Sequence, residues 1–91
     1  MLLEGKTVIV TGASKGIGKA IATKMVEQGA NVAFTYLSSV EQGEALEKEL
    51  SNGKNKVKGY RSDASIFESA EKLVDDVMAD FGALDIVVNN A

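Results

Sequence analysis

The sequence predicts an α/β protein built on a doubly wound parallel sheet, and two observations support this prediction. Four short apolar runs, rich in β-branched residues, alternate with three longer segments of helical spacing, which gives the order βαβαβαβ. The connections are only a few residues long, so right-handed crossovers are expected. With the strands in the order 3-2-1-4, the order reverses between strands 1 and 4. Ligands of such sheets bind beside that switch point, at the carboxyl ends of the strands.

Glycines bound the first strand and the first helix. Residues 6–11 form a continuous run between Gly5 and Gly12, which is typical of a buried parallel strand. Residues 16–28 are predicted to be a helix that ends at Gly29. Its apolar residues recur at helical spacing, and they are Ile17, Ala20, Ile21, Met25 and Val26.

The second βα unit follows directly. Residues 31–36 are predicted to be a strand, and a capping box at residues 38–41 begins a helix that extends to about residue 50. The run 56–61 then alternates and is rich in positive charge. Lysines commonly protect an edge strand from pairing, which explains these charges better than a nucleic-acid patch does.

The third helix has the clearest pattern in the chain. A capping box at residues 65–68 begins it, Gly82 ends it, and residues 84–88 form a short strand predicted to be buried. Its apolar residues lie on one stripe, and they are Phe67, Ala70, Leu73, Val74, Val77, Met78 and Phe81.

Length and composition exclude several classes of protein. The chain has 91 residues, which allows one small domain, and a net charge of −3 leaves no general basic footprint for nucleic acid. No apolar stretch approaches the roughly 18 residues that cross a bilayer, and the start has no secretory leader. There are no cysteines and no histidines, so disulfides, zinc sites built from those ligands and histidine acid–base chemistry are excluded. We expect a cytoplasmic protein without a bound metal.

The turn between strand 1 and helix 1 is predicted to be a phosphate cradle. Gly12 lets the backbone bend, and Gly16 and Gly18 remove side chains where an anion and the neighbouring strand must approach closely. The anion would rest on the free N–H groups and the positive dipole end of the helix. The spacing G-x-x-x-G-x-G matches neither the common dinucleotide fingerprint nor a P-loop, and a tight connection without a ligand is the alternative.

Three motifs in sequence order resemble the first half of the short-chain dehydrogenases/reductases, which have a Rossmann-type fold. They are the glycine turn from Thr11 to Gly18, Asp63-Ala64-Ser65 after strand 3, and Asn89-Asn90-Ala91 after strand 4. The resemblance covers the whole chain, and its residues are most similar to those of the bacterial 3-oxoacyl-acyl-carrier-protein reductases of the family.

This resemblance implies roles for individual residues. The backbone of the glycine turn would hold the cofactor phosphates, Asp63 would accept from the adenine amino group beside the main chain of Ala64, and Asn90 would brace the turn against the adenosine ribose. From the residues alone, Asp63 can instead favour the start of helix 3, and Asn90 can tie strand 4 to strand 1. The implied cofactor-binding residues are Gly12, Ala13, Ser14, Lys15, Gly16, Ile17, Gly18, Leu37, Ser38, Asp63, Ala64, Asn90 and Ala91.

The end of strand 2 favours NADP(H) over NAD(H). An NAD-preferring dehydrogenase usually has a carboxylate there, whereas this chain has no acid between Tyr36 and Glu41. A 2′-phosphate would meet no repulsion, and Lys15 with the hydroxyls of Ser14 and Ser38 could supply charge and donors. The resemblance agrees, because NADP-dependent members carry a basic residue at the place of Lys15. The alternative is that Lys15 is only a solvated lysine.

The catalytic residues of the family have no counterpart among these 91 residues. The family uses a tyrosine with a lysine four positions later, together with a serine, but Tyr36 is followed at that distance by Val40 and Tyr60 by Ala64. We expect residues 1–91 to be the NADP(H)-binding half of a Rossmann domain, incomplete and inactive by itself. The uncovered edge at residues 86–88 leads us to expect self-association and a homo-oligomer.

The leading functional hypothesis is an NADPH-dependent reductase that acts on a 3-oxoacyl chain carried by acyl carrier protein. Within enzymes, the alternative is a family member that acts on a sugar, a steroid or a small alcohol. A nucleotide-binding module without catalysis is a second alternative. A flavodoxin-like receiver domain is a third, although the glycine turn fits it poorly and no acidic cluster follows strand 1.

Overall fold

The computed structural model describes residues 2–13, 16–36, 40–51, 53–62 and 67–90, with the side chains of 67–70 left out. Strands and helices alternate throughout. Their bounds are β1 (Thr7–Val10), α1 (Gly16–Glu27), β2 (Asn31–Tyr36), α2 (Val40–Leu50), β3 (Val57–Arg61), α3 (Phe67–Phe81) and β4 (Ile86–Val88).

The four strands form one parallel sheet in the order β3-β2-β1-β4, which confirms the predicted topology. In register, Val10 lies opposite Phe34 of β2 on one side and Val88 of β4 on the other. The carboxyl ends of β1, β2 and β4 therefore meet at one edge of the sheet. The predicted capping boxes fall partly or wholly on residues outside the described part of the chain.

The two faces of the sheet are covered unequally. On one face, α1 and α2 pack onto the strands with a large apolar cluster that includes Ala22, Val26 and Leu46. On the other face, the described side chains of α3 contribute Leu73 and Val77 to the buried cluster, with Phe81 partly buried against it. Two helices thus lie on one face and the third on the other, which is the arrangement of a doubly wound sheet.

Three details of the predicted core are wrong. Ile17 is 72% exposed, because it lies in the first turn of α1, at the sheet edge rather than over the strands. On α3 the predicted stripe is only partly buried, since Val74 and Met78 are exposed. The strand β4 is not buried either, and Val87 is 57% exposed. Val74, Met78 and Val87 all lie on the face that α3 covers incompletely.

Two glycines let α2 and β3 approach the aromatic residues at the end of β2. A Cβ placed on Gly43 of α2 would lie 2.6 Å from Tyr36 Cζ and closer still to Cε1, and one placed on Gly59 of β3 would lie 2.7 Å from Phe34 Cζ. These distances are shorter than van der Waals contact. The Tyr36 ring, 9% exposed, is therefore packed against the backbone of Gly43, and Gly59 lies against the Phe34 ring and one edge of the Tyr36 ring.

A polar cluster attaches α3 to the edge strand β3. Asp80 Oδ2 accepts a hydrogen bond from the Tyr60 hydroxyl at 2.6 Å and lies 2.9 Å from Lys58 Nζ, while Lys56 Nζ donates to the Asp80 carbonyl. The hydrogen bond from Tyr60, and then the one from Lys58, hold the pKa of Asp80 below its usual value. This contribution to stability is present at neutral pH and is lost as the pH falls through that lowered pKa. The predicted edge-strand lysines are thus partnered with α3.

The strand β4 is joined to β1 beyond the ladder as well. At the amino-terminal edge, Thr7 N donates to Asp85 Oδ2 at 2.9 Å, and Asp85 N donates to the Thr7 carbonyl at 2.9 Å. This reciprocal pair fixes the register before the three paired residues of β4 begin. In the described part of the chain, no helix is long and apolar enough to cross a membrane, and no cluster of potential metal ligands occurs.

We expect Gly43→Ala to destabilise the protein although alanine is the better helix former. Alanine in a helix gains about 1 kcal/mol over glycine, but forcing a methyl group into the Tyr36 ring costs about 1–3 kcal/mol or more. Urea denaturation should show a net loss in the free energy of unfolding. Glu44→Ala, on the exposed side of the same helix, is the control and should change it by less than about 0.5 kcal/mol. An unchanged or raised stability of Gly43→Ala would contradict this packing.

Candidate functional site

The backbone bends sharply at Gly12, directly after β1, and the strand β2 holds this bend. Gly12 has φ +63°, a conformation that glycine adopts readily. Its N–H donates to Thr35 Oγ1 at 3.0 Å, and the N–H of Ala13 donates to the Thr35 carbonyl at 2.9 Å. Two consecutive amides of the turn are thus used inside the fold, and neither is directed at a ligand.

The strand β4 holds the same bend from the other side. Asn90 N donates to Thr11 Oγ1 at 2.8 Å, and the Thr11 hydroxyl lies 3.2 Å from its acceptor Asn89 Oδ1. The side chain of Asn90 approaches the turn itself, with Nδ2 3.5 Å from the Gly12 carbonyl oxygen. Asn90 therefore both ties β4 to β1 and braces the glycine turn, while its contact with a ribose stays a prediction.

The helix α1 begins in close contact with the turn. A Cβ on Gly18 would overlap the Gly12 carbonyl oxygen and would lie 2.7 Å from Asn90 Nδ2. A Cβ on Gly12 would lie 2.7 Å from the Asn90 carbonyl oxygen. Because no side chain larger than hydrogen fits at these two positions, the start of α1 lies directly against the end of β1.

The outer side of the turn is open. Gly16 has φ +63°, and a Cβ placed on it would meet nothing within 4 Å. Gly16, Ile17 and Gly18 form the first turn of α1, where the N–H groups have no carbonyl partner one turn earlier in the helix. The exposed Ile17 side chain borders this space. The described residues thus contribute a close-packed inner side, open space beside Gly16 and the positive end of a helix, which are features that favour an anion. Binding of an anion at this turn stays a prediction.

The structure brings together the predicted site residues that it describes. Gly12, Ala13, Gly16, Ile17, Gly18 and Asn90 lie in one region, between the carboxyl ends of β1 and β4 and the start of α1. Ser62 N donates to the Tyr36 carbonyl at 3.0 Å, so the chain approaches this same sheet edge just before Asp63. The remaining predicted residues lie outside the described part of the chain: Ser14, Lys15, Leu37, Ser38, Asp63, Ala64 and Ala91.

Neither of the two threonines that hold the turn was predicted to be a site residue. Thr11 directly follows β1 and Thr35 is the second-last residue of β2, and both are buried. The signal was present, since each is a hydroxyl in or directly after an otherwise apolar run. A buried hydroxyl normally has a hydrogen-bond partner, so such residues at strand ends indicate cross-links between elements.

A groove lies on the α3 side of the sheet, next to the switch point. Its volume is about 180 Å³, and Ile9, Leu73, Val74 and Val87 line it, with Thr11 and Asn89 at the end near the glycine turn. Sites for small ligands usually have about 300–1,000 Å³. This groove is therefore too small for a dinucleotide and suits packed side chains.

The parallel sheet, its strand order and the close-packed glycine turn at the switch point together define a Rossmann-type α/β protein. A model of the short chain dehydrogenase family matches residues 6–91. The chain belongs to this family.

Characterised relatives have different substrates in their names. The chain is 46% identical over 92 residues to an NADP-dependent mannitol dehydrogenase of Alternaria alternata, which covers 98% of this chain and 35% of the relative. It is 41% identical over 91 residues to a 3-oxoacyl-acyl-carrier-protein reductase of Staphylococcus aureus, which covers 94% of this chain and 35% of the relative.

A solved structure agrees closely with this fold. A short chain dehydrogenase from Burkholderia cenocepacia in complex with NADP superposes with a TM-score of 0.94 at 38% identity, covering all of this chain and 37% of that protein. The chain thus spans just over one third of the length of the proteins that it matches.

We expect Gly18→Ala to destabilise the protein by about 1–3 kcal/mol or more, because the added methyl group has to displace the backbone of Gly12. Thermal or urea unfolding measures this loss. Lys24→Ala, an exposed position near the end of the same helix, is the control and should stay within about 0.5 kcal/mol of the wild type. Equal stability of Gly18→Ala and Lys24→Ala would contradict the tight contact between α1 and the turn.

Proposed function

We propose that this chain is the NADP(H)-binding part of a short-chain oxidoreductase. The observation that carries the proposal is the glycine turn at the switch point, close-packed against β2 and β4 on its inner side and open at the head of α1. The NADP named for the Burkholderia structure and for the mannitol dehydrogenase supports the choice of cofactor.

In the proposed complex, the residues of the turn have two kinds of task. Gly12 and Ala13 shape the bend, because their amides are already bonded to β2. Gly16, Ile17 and Gly18 would present the N–H groups of the first helical turn to the pyrophosphate, and the helix dipole would add to the attraction. Bound NADPH would supply the hydride that reduces a carbonyl group.

The preference for the phosphorylated cofactor is part of the proposal. Tyr36, the last residue of β2, is buried under Gly43, and the sequence after it continues with Leu37 and Ser38 instead of an acid. A 2′-phosphate there would not face a carboxylate, and Lys15 would supply a positive charge. We also assign to Asp63 and Ala64 the roles that the resemblance implies. Asp63 would accept a hydrogen bond from the adenine amino group, beside the main chain of Ala64.

The substrate that we propose is a 3-oxoacyl thioester on acyl carrier protein. This proposal is supported by the residues of the motifs and by 41% identity to the Staphylococcus reductase. The second candidate is a sugar alcohol, which the 46% identity to the mannitol dehydrogenase favours. Both reactions exchange a hydride between NADP(H) and a carbonyl or alcohol, so they share the site described above.

The proton donor for this chemistry would have to come from outside residues 1–91. Carbonyl reduction needs a positioned acid near the developing alkoxide, and neither Tyr36 nor Tyr60 has a lysine four positions later. The Tyr60 hydroxyl is moreover bonded to Asp80, and burial together with that hydrogen bond raises its pKa above the ordinary value. We therefore propose that these 91 residues bind cofactor without reducing a substrate, in a cytoplasmic homo-oligomer.

Titration with NADPH and NADH tests the cofactor assignment directly. We expect the chain to bind NADPH more tightly than NADH, as measured by calorimetry or by nicotinamide fluorescence. The same chain should show no turnover of 3-oxoacyl thioesters or of mannitol. Failure to bind either nucleotide would contradict the proposed function, and measurable turnover would contradict the proposed absence of catalytic residues.

We expect Lys15→Glu to weaken NADPH binding far more than NADH binding, because only NADPH has a phosphate on its 2′-oxygen. Dissociation constants for both nucleotides check this. Lys6→Glu makes the same change of charge before β1, at the opposite edge of the sheet, and should leave both constants nearly unchanged. Equal losses for NADPH and NADH in Lys15→Glu would refute the role of this lysine.

A further inference from the structure

The strand β2 contains a buried threonine near its carboxyl end. Thr35 is only 2% exposed, and its neighbours in the strand, Phe34 and Tyr36, are packed into the core. Its Oγ1 accepts the hydrogen bond from Gly12 N at 3.0 Å, across 23 residues of sequence. The side chain thus links β2 to the first residue of the glycine turn.

This link is independent of the sheet ladder. The bond between Ala13 N and the Thr35 carbonyl uses backbone atoms, so any residue at position 35 can make it. The bond to Gly12 needs a side-chain acceptor at this place. With both bonds formed, the directions of two successive peptide groups are fixed relative to β2.

Because the N–H groups of Gly12 and Ala13 are bonded to β2, they are not available to a ligand. They point inward, toward β2, whereas a Cβ placed on Gly16, at the start of α1, would meet nothing within 4 Å. The N–H of Gly12 belongs to the peptide group that joins Thr11 to Gly12. A rotation of this peptide group would change φ of Gly12, and with it the placement of the following Gly12 carbonyl against Asn90 and Gly18.

We propose that Thr35 is a positioning residue for the cofactor phosphates: its hydroxyl holds the Gly12 peptide so that the amides at the start of α1 face the pyrophosphate. The inference rests on the proposed NADP(H) binding and adds a residue on β2 to the site. Thr35 does not touch the cofactor in this scheme. It acts through the conformation of the turn.

Position 35 needs a small side chain with an acceptor. Valine has nearly the same shape as threonine but cannot accept a hydrogen bond, so Thr35→Val leaves Gly12 N without its side-chain partner in β2. Serine keeps the acceptor. Thr35→Val and Thr35→Ser therefore separate the hydroxyl from the volume of the side chain.

A purely structural role would have a different signature. Val32→Ala, a cavity-forming change in the core part of the same strand, lowers stability without touching the turn. At a temperature where every variant is folded, loss of global stability alone leaves the dissociation constant for NADPH unchanged. A positioning role changes that constant.

The experiment compares the wild-type chain with Thr35→Val, Thr35→Ser and Val32→Ala by calorimetric titration with NADPH. Hydrogen exchange of the Gly12 amide is followed by NMR in the absence of nucleotide. We expect Thr35→Val to raise the dissociation constant on the order of tenfold and to speed exchange at Gly12. Thr35→Ser and Val32→Ala should bind as the wild type does.

Each result decides the proposal. Wild-type affinity in Thr35→Val, or an equal loss in Val32→Ala, overturns the role of Thr35 while leaving the proposed cofactor binding intact. A wild-type chain that binds no NADPH overturns the proposed function, and this inference with it. If Thr35→Val does not fold, Thr35→Ala takes its place as the variant without a hydroxyl, and the same two outcomes apply.

Discussion

The close packing around the Gly12 backbone is the constraint on which the rest of the structure depends. Its N–H is held by Thr35 of β2, its carbonyl lies beside the Asn90 amide after β4, and Gly18 of α1 packs onto it without a side chain between. Three elements thus meet at one residue. Because each of them approaches within contact distance, the strand order and the position of α1 are coupled to the conformation of a single turn.

Much of the fold could be predicted because it depends on local patterns. Periodicity located all seven elements within a residue or two, and glycine marked the turns correctly at Gly12, Gly29 and Gly82. Periodicity could not predict whether another element packs against the apolar side of a helix. Val74 and Met78 repeat at helical spacing as core residues do, but the described chain places nothing over them. Spacing predicts which side of a helix faces inward and does not show whether a partner lies there.

The candidate site, like the fold, could be predicted only in part from the sequence. The motifs predicted that the glycines of the turn and Asn90 lie near one another, and Asn90 ties β4 to β1 and lies beside the turn at once, while its contact with a ribose stays a prediction. Thr35 could be recognised as a hydroxyl in an apolar run, but its partner could not be predicted. Its contact with Gly12 joins residues from different strands, and a single threonine in an apolar run gives no indication of which distant group it bonds.

The close packing of Tyr36 against Gly43 and Gly59 has a practical consequence for altering coenzyme choice. The backbones of Gly43 and Gly59 approach the residues at the end of β2 so closely that Tyr36 is part of the packed scaffold. The residues after it are the ones to substitute. Attempts to redesign the preference for one nicotinamide nucleotide over another are best confined to the positions that follow it. Replacing Tyr36 itself would disturb α2 and β3 together, and any gain in selectivity would be obscured by the loosened scaffold.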